Sequence, residues 1–204
     1  MSYSTKQEAA YWTKRYEEDR TGWDIGSVST PIKEYVDQVL NKDLRILIPG
    51  AGNAYEAEYL WRSGFLNTHV LDISPLPLQK FAERVSDFPA DQLLQANFFE
   101  LEGQFDLIVE QTFFCSFLPT IENREAYAKK MDELLVPGGK LVGLWFDKPV
   151  GESRPFGGSK EEYLGYFEPY FEAQTFERSY NSIKPRAEVE LFGIFRKPLS
   201  ASRP

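Results

Sequence analysis

Ile46-Leu47-Ile48-Pro49 runs directly into Gly50-Ala51-Gly52, and Val70-Leu71-Asp72 follows after a helix-length gap. An apolar strand, a Gly-x-Gly turn, a helix and a second strand ending in an acid bring three groups to one place. These are unpaired backbone N–H groups, a helix N-terminus and a carboxylate, the set that grips an adenosine-type ligand. Gly50 and Asp72 are 22 residues apart, close to the roughly 20 expected for an acid on ribose hydroxyls. Gly50 and Gly52 let the main chain approach a ligand closely; the same pair also reads as a tight turn after a buried strand. The dinucleotide fingerprint is incomplete, because Tyr55 stands at the sixth position from Gly50, where a pyrophosphate site wants a small residue. This favours a ligand without phosphates, such as S-adenosylmethionine.

Other residues at predicted strand ends extend the pattern. Asp72 either accepts hydrogen bonds from both ribose hydroxyls or caps the helix starting near Pro75. Asn97 follows the third strand, in reach of an adenine amino group, and Phe98 beside it offers a wall or belongs to the core. Glu110 ends the fourth strand, facing the cationic amino-acid end or sulfonium of the cofactor, or else capping a helix or standing as a surface acid. Trp12, Tyr16 and Trp23 precede the first strand. Their faces suit a sulfonium at about 0.5–2 kcal/mol, although on residue types alone simple packing onto the sheet accounts for them.

The elements that must position these residues alternate. A helix is predicted over Gln7–Asp19, then a strand over Arg45–Pro49. Ala57, Leu60, Trp61, Gly64 and Phe65 share one helical face. A strand at Thr68–Asp72 precedes a helix from Pro75 to about Val85, and a short strand is expected at Leu93–Gln95 and a strong one at Phe105–Glu110. Glu122–Leu135 is helical and stops at the breakers Val136-Pro137-Gly138-Gly139. Strand Lys140–Phe146, helix Ser159–Phe167 and strands Phe171–Tyr180 and Glu188–Phe195 complete the chain. The alternation predicts an α/β fold, a mostly parallel Rossmann-like sheet with helices on both faces and ligand at the strands' carboxyl ends. One domain is expected over 1–204, with an N-terminal aromatic helix or lid at 7–26 and a core at 44–197.

Bulk properties narrow the function. The chain has 42% hydrophobic and 26% charged residues, and a net charge of −8 with no dense basic stripe. A nucleic-acid partner is therefore disfavoured. A single cysteine, Cys115, precludes an intrachain disulfide, and a single histidine, His69 in a strand-like run, argues against a His-based metal site or triad. Cys115 reads as a small buried hydrophobe. No metal, no membrane span and a cytoplasmic location are expected.

The ordered set ILIPGAG, LDISP, ANFFEL, FDLIVEQTFFCS, YAKKMDELLVPGGKL and PF resembles the thiopurine S-methyltransferase family of S-adenosylmethionine-dependent methyltransferases. The nearer branch is similar to the plant-type halide and thiol methyltransferases. Trp12, Tyr16 and Trp23-Asp24 echo that branch's W-x3-W-x6-WD arrangement, and FFC at 113–115 its post-strand motif. The resemblance implies the seven-stranded class I methyltransferase sheet, six strands parallel and the last antiparallel. It also implies that Trp12, Tyr16, Trp23, Gly50, Asp72, Ile73, Asn97, Phe98 and Glu110 line the cofactor. Departures are Tyr16 for Trp, Asn97 for Asp, Ala54 for a small Gly and Glu110 for Asp.

The reaction so implied is in-line transfer of a methyl group to a soft nucleophile, a thiolate, halide or thiopurine, leaving S-adenosylhomocysteine. A ready anion needs no strong base, and no residue is assigned as a catalytic base. Phe113, Phe114, Phe117 and Phe156 are expected as pocket walls, with Arg154 as an anion contact or a solvated loop charge. The acceptor is a small molecule, and the protein a monomer or weak homo-oligomer. Two rivals remain, an O- or N-methyltransferase of another metabolite and a non-catalytic cofactor-binding sensor or partner protein.

Overall fold

The computed structural model describes Thr5–Leu199. Thirteen elements follow in chain order. Helices α1 (Thr5–Glu17) and α2 (Thr30–Asp37) precede β1 (Ile46–Pro49), α3 (Tyr55–Arg62), β2 (Thr68–Asp72) and α4 (Pro75–Arg84). Then come β3 (Leu93–Gln95), β4 (Phe105–Gln111), α5 (Ile121–Leu134) and β5 (Leu135–Phe146). α6 (Lys160–Phe167), β6 (Glu172–Arg178) and β7 (Glu190–Arg196) close the chain. The seven strands form one sheet in the order β3-β2-β1-β4-β5-β7-β6. β1 through β5 pair in parallel, whereas β7 runs antiparallel to both β5 and β6.

Strand periodicity sorts side chains into two cores. Ile46 and Ile48 of β1 join Leu107 and Val109 of β4 in one cluster, with Ile32 of α2, Leu60 of α3 and Phe81 of α4. Leu47 and Ile108, one residue out of phase, enter the other with Tyr127 of α5, Phe167 of α6 and Trp145 of β5. Apolar residues at every position of a strand are what a sheet covered on both faces requires.

Three local features depart from the sequence expectation. α2 was not anticipated: Pro31 in its first turn and Ile32 and Val36 on one buried face make it. α3 ends at Arg62, and Gly64 (φ +88°) turns the chain so that the Phe65 N–H reaches the Leu60 carbonyl at 3.0 Å. Val136–Gly139, read as breakers, lie within β5. There the register jumps from Phe105 opposite Leu135 to Leu107 opposite Lys140, so these residues bulge out of the β4 pairing. The bulge pairs instead with Lys197, through Gly138 N–H to its carbonyl and its own N–H to Gly139, both at 2.9 Å.

Candidate functional site

The carboxyl ends of β1, β2 and β4 open into a cavity of about 260 Å³, which α1 covers. At its base the main chain turns sharply, Gly50 lining this cavity and Gly52 lining a smaller neighbouring pocket instead. Gly50 and Gly52 adopt φ of +57° and +54°, and Ala54, which precedes α3, adopts +56°. A Cβ on Gly50 would overlap the Phe113 ring, and one on Gly52 would lie 3.0 Å from the Tyr16 hydroxyl. The glycines are therefore required by close approach as well as by conformation.

Asp72 closes this turn. Its Oδ2 accepts the Gly52 N–H at 2.9 Å and its Oδ1 accepts the Ser74 N–H at 2.8 Å. The carboxylate thus ties β1's turn to the start of α4 and also lines the cavity. Burial pushes its pKa up to about 6 against the stabilising N–H groups of Ser74, Gly52 and Ile73. Ile73 lines the cavity as well. Asn97 and Phe98 form the wall beyond β3. Asn97 accepts the Phe99 N–H through Oδ1 at 3.1 Å and donates through Nδ2 to Thr5 at 2.9 Å and Glu100 at 3.0 Å.

The cover is aromatic. Trp12 and Tyr16 of α1 meet Trp23 edge to face, at 5.4 and 5.8 Å between ring centroids, and all three line the cavity. Burial, followed by the charge of Asp72, pushes the Tyr16 phenol well above its ordinary range, so it stays protonated. Thr13 and Ser74 share a 2.9 Å hydrogen bond, which pins α1 to the head of α4. At the other side Arg154, from the segment between β5 and α6, donates to Glu8 at 2.7 Å and stacks over Tyr11 and Trp12 at 4.7 and 5.3 Å. Arg154 and Glu8 both line the cavity.

β4 contributes the remaining wall through an irregular exit. Thr112 is a buried β-branched residue with φ +55°, a conformation such side chains rarely hold. It turns Phe113 toward Gly50 and Phe114 away. Phe113 and Phe117 line the cavity and lie 4.8 Å apart, Phe113 5.2 Å from Phe98. Phe114 is instead core, 4.8 Å from Tyr127 and 5.2 Å from Tyr163. Phe156 is also buried outside the lining, its N–H bonded to the Cys115 carbonyl at 2.7 Å.

Glu110 is fully buried behind the wall and does not line the cavity. Its Oε2 accepts the N–H groups of Phe113 at 2.6 Å and Phe114 at 3.2 Å, so it caps the turn that aims Phe113. Burial pushes its pKa up to about 8. Of the roles open to it in the sequence, cofactor contact, cap or surface acid, the geometry carries the cap. Cys115 is buried too, its thiol pushed up to about 12 by the same cause. Gln111, Thr112, Ser116 and Asn123 line the cavity without having been singled out in the sequence; only their nearness to the β4 exit could have marked them.

The lining holds Glu8, Tyr16, Asp72 and Arg154 as titratable groups and contains no His, Lys or Cys among the described residues. Among those residues there is also no His/Cys/Asp/Glu cluster able to hold a metal, and no helix long and apolar enough to cross a membrane. What the arrangement offers is a glycine cradle, a carboxylate and aromatic faces, which suit a nucleoside bearing a cationic sulfur.

This sheet is that of the class I S-adenosylmethionine-dependent methyltransferases. The same fold occurs in the Burkholderia thailandensis 1,6-didemethyltoxoflavin-N1-methyltransferase, solved with 1,6-didemethyltoxoflavin and S-adenosylhomocysteine. That similarity has a TM-score of 0.75 at 16% identity and covers 97% of this chain and 92% of that one. A TehB-like SAM-dependent methyltransferase from Corynebacterium glutamicum shares it with a TM-score of 0.62 at 19% identity, over 95% and 97% of the two chains. The chain belongs to the thiopurine S-methyltransferase family, which it matches over residues 7–199. It is 32% identical to "Probable thiol methyltransferase 2" of Arabidopsis thaliana, over 91% of this chain and 84% of that protein. It is 30% identical to "Thiocyanate methyltransferase 1" of Brassica oleracea, over 93% and 86%. The chain is accordingly an S-adenosylmethionine-dependent S-methyltransferase.

Proposed function

We propose that the methyl acceptor is a small thiol that reacts as its thiolate, and that the cavity beneath α1 holds cofactor and acceptor together. The observation that carries this reading is a lining with aromatic walls and, among the described residues, no His, Lys or Cys, its two carboxylates being engaged already, Asp72 by the Gly52 and Ser74 N–H groups and Glu8 by Arg154. A neutral alcohol or amine asks for a base or a metal, whereas a thiolate arrives ready to react. The names of the plant relatives, thiol and thiocyanate methyltransferases, point the same way.

In this reading S-adenosylmethionine would supply an electrophilic methyl group on its sulfonium, and S-adenosylhomocysteine would leave as the bond to the soft nucleophile forms. The protein supplies placement and dryness. Gly50 and Gly52 give the cofactor close access to the main chain, and Asp72 holds the ribose hydroxyls. Ile73, Asn97 and Phe98 flank the adenine. Trp12, Tyr16 and Trp23 would close over the sulfonium as a cover, the aromatic segment 7–26 and the core 44–197 forming one domain. Phe113 and Phe117 wall the acceptor, and Arg154, held by Glu8, attracts its negative charge. Glu110, Phe114 and Phe156 act behind this surface.

A label-transfer screen with hydrosulfide, benzenethiol, thiopurines, iodide, phenols and amines tests the proposal. Thioether products from the thiols, increasing with the thiolate fraction, are expected. Transfer to phenols or amines in preference to thiols would contradict it, and tight cofactor binding with no transfer at all would favour a sensor.

A further inference from the structure

The segment between α1 and α2 carries Trp23 to the cavity, and a buried polar chain fastens it at two points. Arg186, in the short turn between β6 and β7, donates through Nη2 to the Trp23 carbonyl and through Nη1 to Glu190 at 3.1 Å. Its guanidinium lies over Phe146 at 5.3 Å. With the Gln111 amide oriented to satisfy both neighbours, its oxygen accepts from Arg186 Nη1 at 3.2 Å and its nitrogen donates to Glu56 at 2.5 Å. Glu56 in turn accepts the Ser29 N–H at 3.1 Å. Arg186, Glu190 and Glu56 are all buried, at 7%, 2% and 6% exposure, so these polar groups are tolerated there only because the chain of bonds satisfies them.

We propose that Arg186 is a positioning residue for methyl transfer: with Gln111 and Glu56 it clamps the Trp23–Ser29 segment and thereby sets Trp23 over the cofactor. Trp23 packs edge to face on both Trp12 and Tyr16, so releasing its backbone loosens the whole aromatic cover. The planar fork of arginine meets Glu190, Gln111 and the Trp23 carbonyl at once, and the single ammonium of lysine cannot reproduce that geometry. The C-terminal antiparallel hairpin, remote from the glycine turn in sequence, is in this way coupled to the cofactor's cover. The inference rests on the cofactor lying beneath Trp23.

The test compares Arg186→Lys and Gln111→Ala with the wild type. Two measurements are made: amide hydrogen exchange with and without S-adenosylhomocysteine, and titration of that compound. Both variants are expected to exchange the amides of residues 20–30 at least tenfold faster while those of β5 and β7 keep their protection. Affinity should fall at least tenfold, with KM for the cofactor rising more than kcat falls. Wild-type exchange over residues 20–30 together with wild-type affinity in either variant overturns the clamp. Should Arg186→Lys fail to fold, Gln111→Ala and Glu56→Gln read the other end, and wild-type behaviour in both overturns it equally. Faster exchange over residues 20–30 with unaltered affinity also overturns the link to the cofactor. A wild type that does not bind S-adenosylhomocysteine defeats the cofactor placement instead, while exchange in its absence still reports the clamp.

Discussion

The carboxylate of Asp72 accepts the Gly52 N–H at 2.9 Å, so the acid ending one strand fixes the glycine turn ending its neighbour. A single buried group therefore shapes the cradle and presents charge to it. Any change in that charge alters the cradle and the ligand's grip on it together.

Cofactor affinity is expected to depend on pH through Asp72. Ribose hydroxyls donate to the ionised carboxylate, and burial holds its pKa at about 6. Below that value the free protein is protonated there, so binding must release the proton and affinity falls by up to tenfold per pH unit. Titration of S-adenosylhomocysteine between pH 5 and 8 checks this. The slope should vanish in Asp72→Asn, and an equal slope in that variant would assign it to another group.

Glu110 predicts a stability profile of unusual sign. Its folded pKa, about 8, lies above the ordinary 4.5, so the native state keeps a proton that the unfolded chain gives up. Stability from this group is full below pH 4.5 and lost as pH rises through about 8. Asp72 adds the same sign between 3.8 and about 6. The melting temperature should decline from pH 5 to 9, and Glu110→Gln, which still offers an acceptor to Phe113 and Phe114, should flatten the decline. A variant no more stable than the wild type at pH 9 would contradict the assignment.

Thr112 holds a left-handed conformation at φ +55°, which costs a non-glycine residue about 1–2 kcal/mol. Thr112→Gly relieves that cost and should raise the melting temperature by roughly 2–4 °C. It also frees the turn that aims Phe113, so methyl transfer should slow at least fivefold. Thermal melts and initial rates decide the matter; a less stable variant with full activity would remove the functional reading.

These positions show where the sequence was legible and where it was not. β2 and β3 were read with the bounds they have, because each is a short apolar run between turn residues, buried in β2 and half-buried at the sheet edge in β3. The glycine turn and the place of Asp72 beside it were legible for the same reason, as residues at the ends of such runs. Which of Phe113 and Phe114 faces the cavity was not. It depends on one backbone angle at Thr112, and neighbouring phenylalanines have equal claims until that angle is known. Glu110 misled because a strand-end acid points outward only if the strand stops there, whereas β4 continues to Gln111. α2 was missed because eight residues give barely two turns of periodicity. The Arg186 clamp joins four distant segments, and no local pattern encodes it.

The acceptor wall leads to a specificity prediction. Phe117 stands 4.8 Å from Phe113 and 5.2 Å from Phe99, so truncating it removes wall area that an aromatic acceptor would cover. Phe117→Ala is expected to raise KM for benzenethiol at least tenfold and to leave KM for hydrosulfide within about threefold, since burial contributes about 25 cal/mol per Å² of apolar contact. Equal effects on the two acceptors would place the aromatic ring elsewhere.

The most direct measurement is isothermal titration of S-adenosylhomocysteine into the wild type and Asp72→Ala, with circular dichroism to verify folding. A carboxylate hydrogen bond to an uncharged partner contributes about 1.5–3 kcal/mol. One site per wild-type chain and more than tenfold weaker binding in the variant are therefore expected. Equal affinity in a folded Asp72→Ala protein would contradict the placement of the cofactor at the carboxyl ends of β1 and β2.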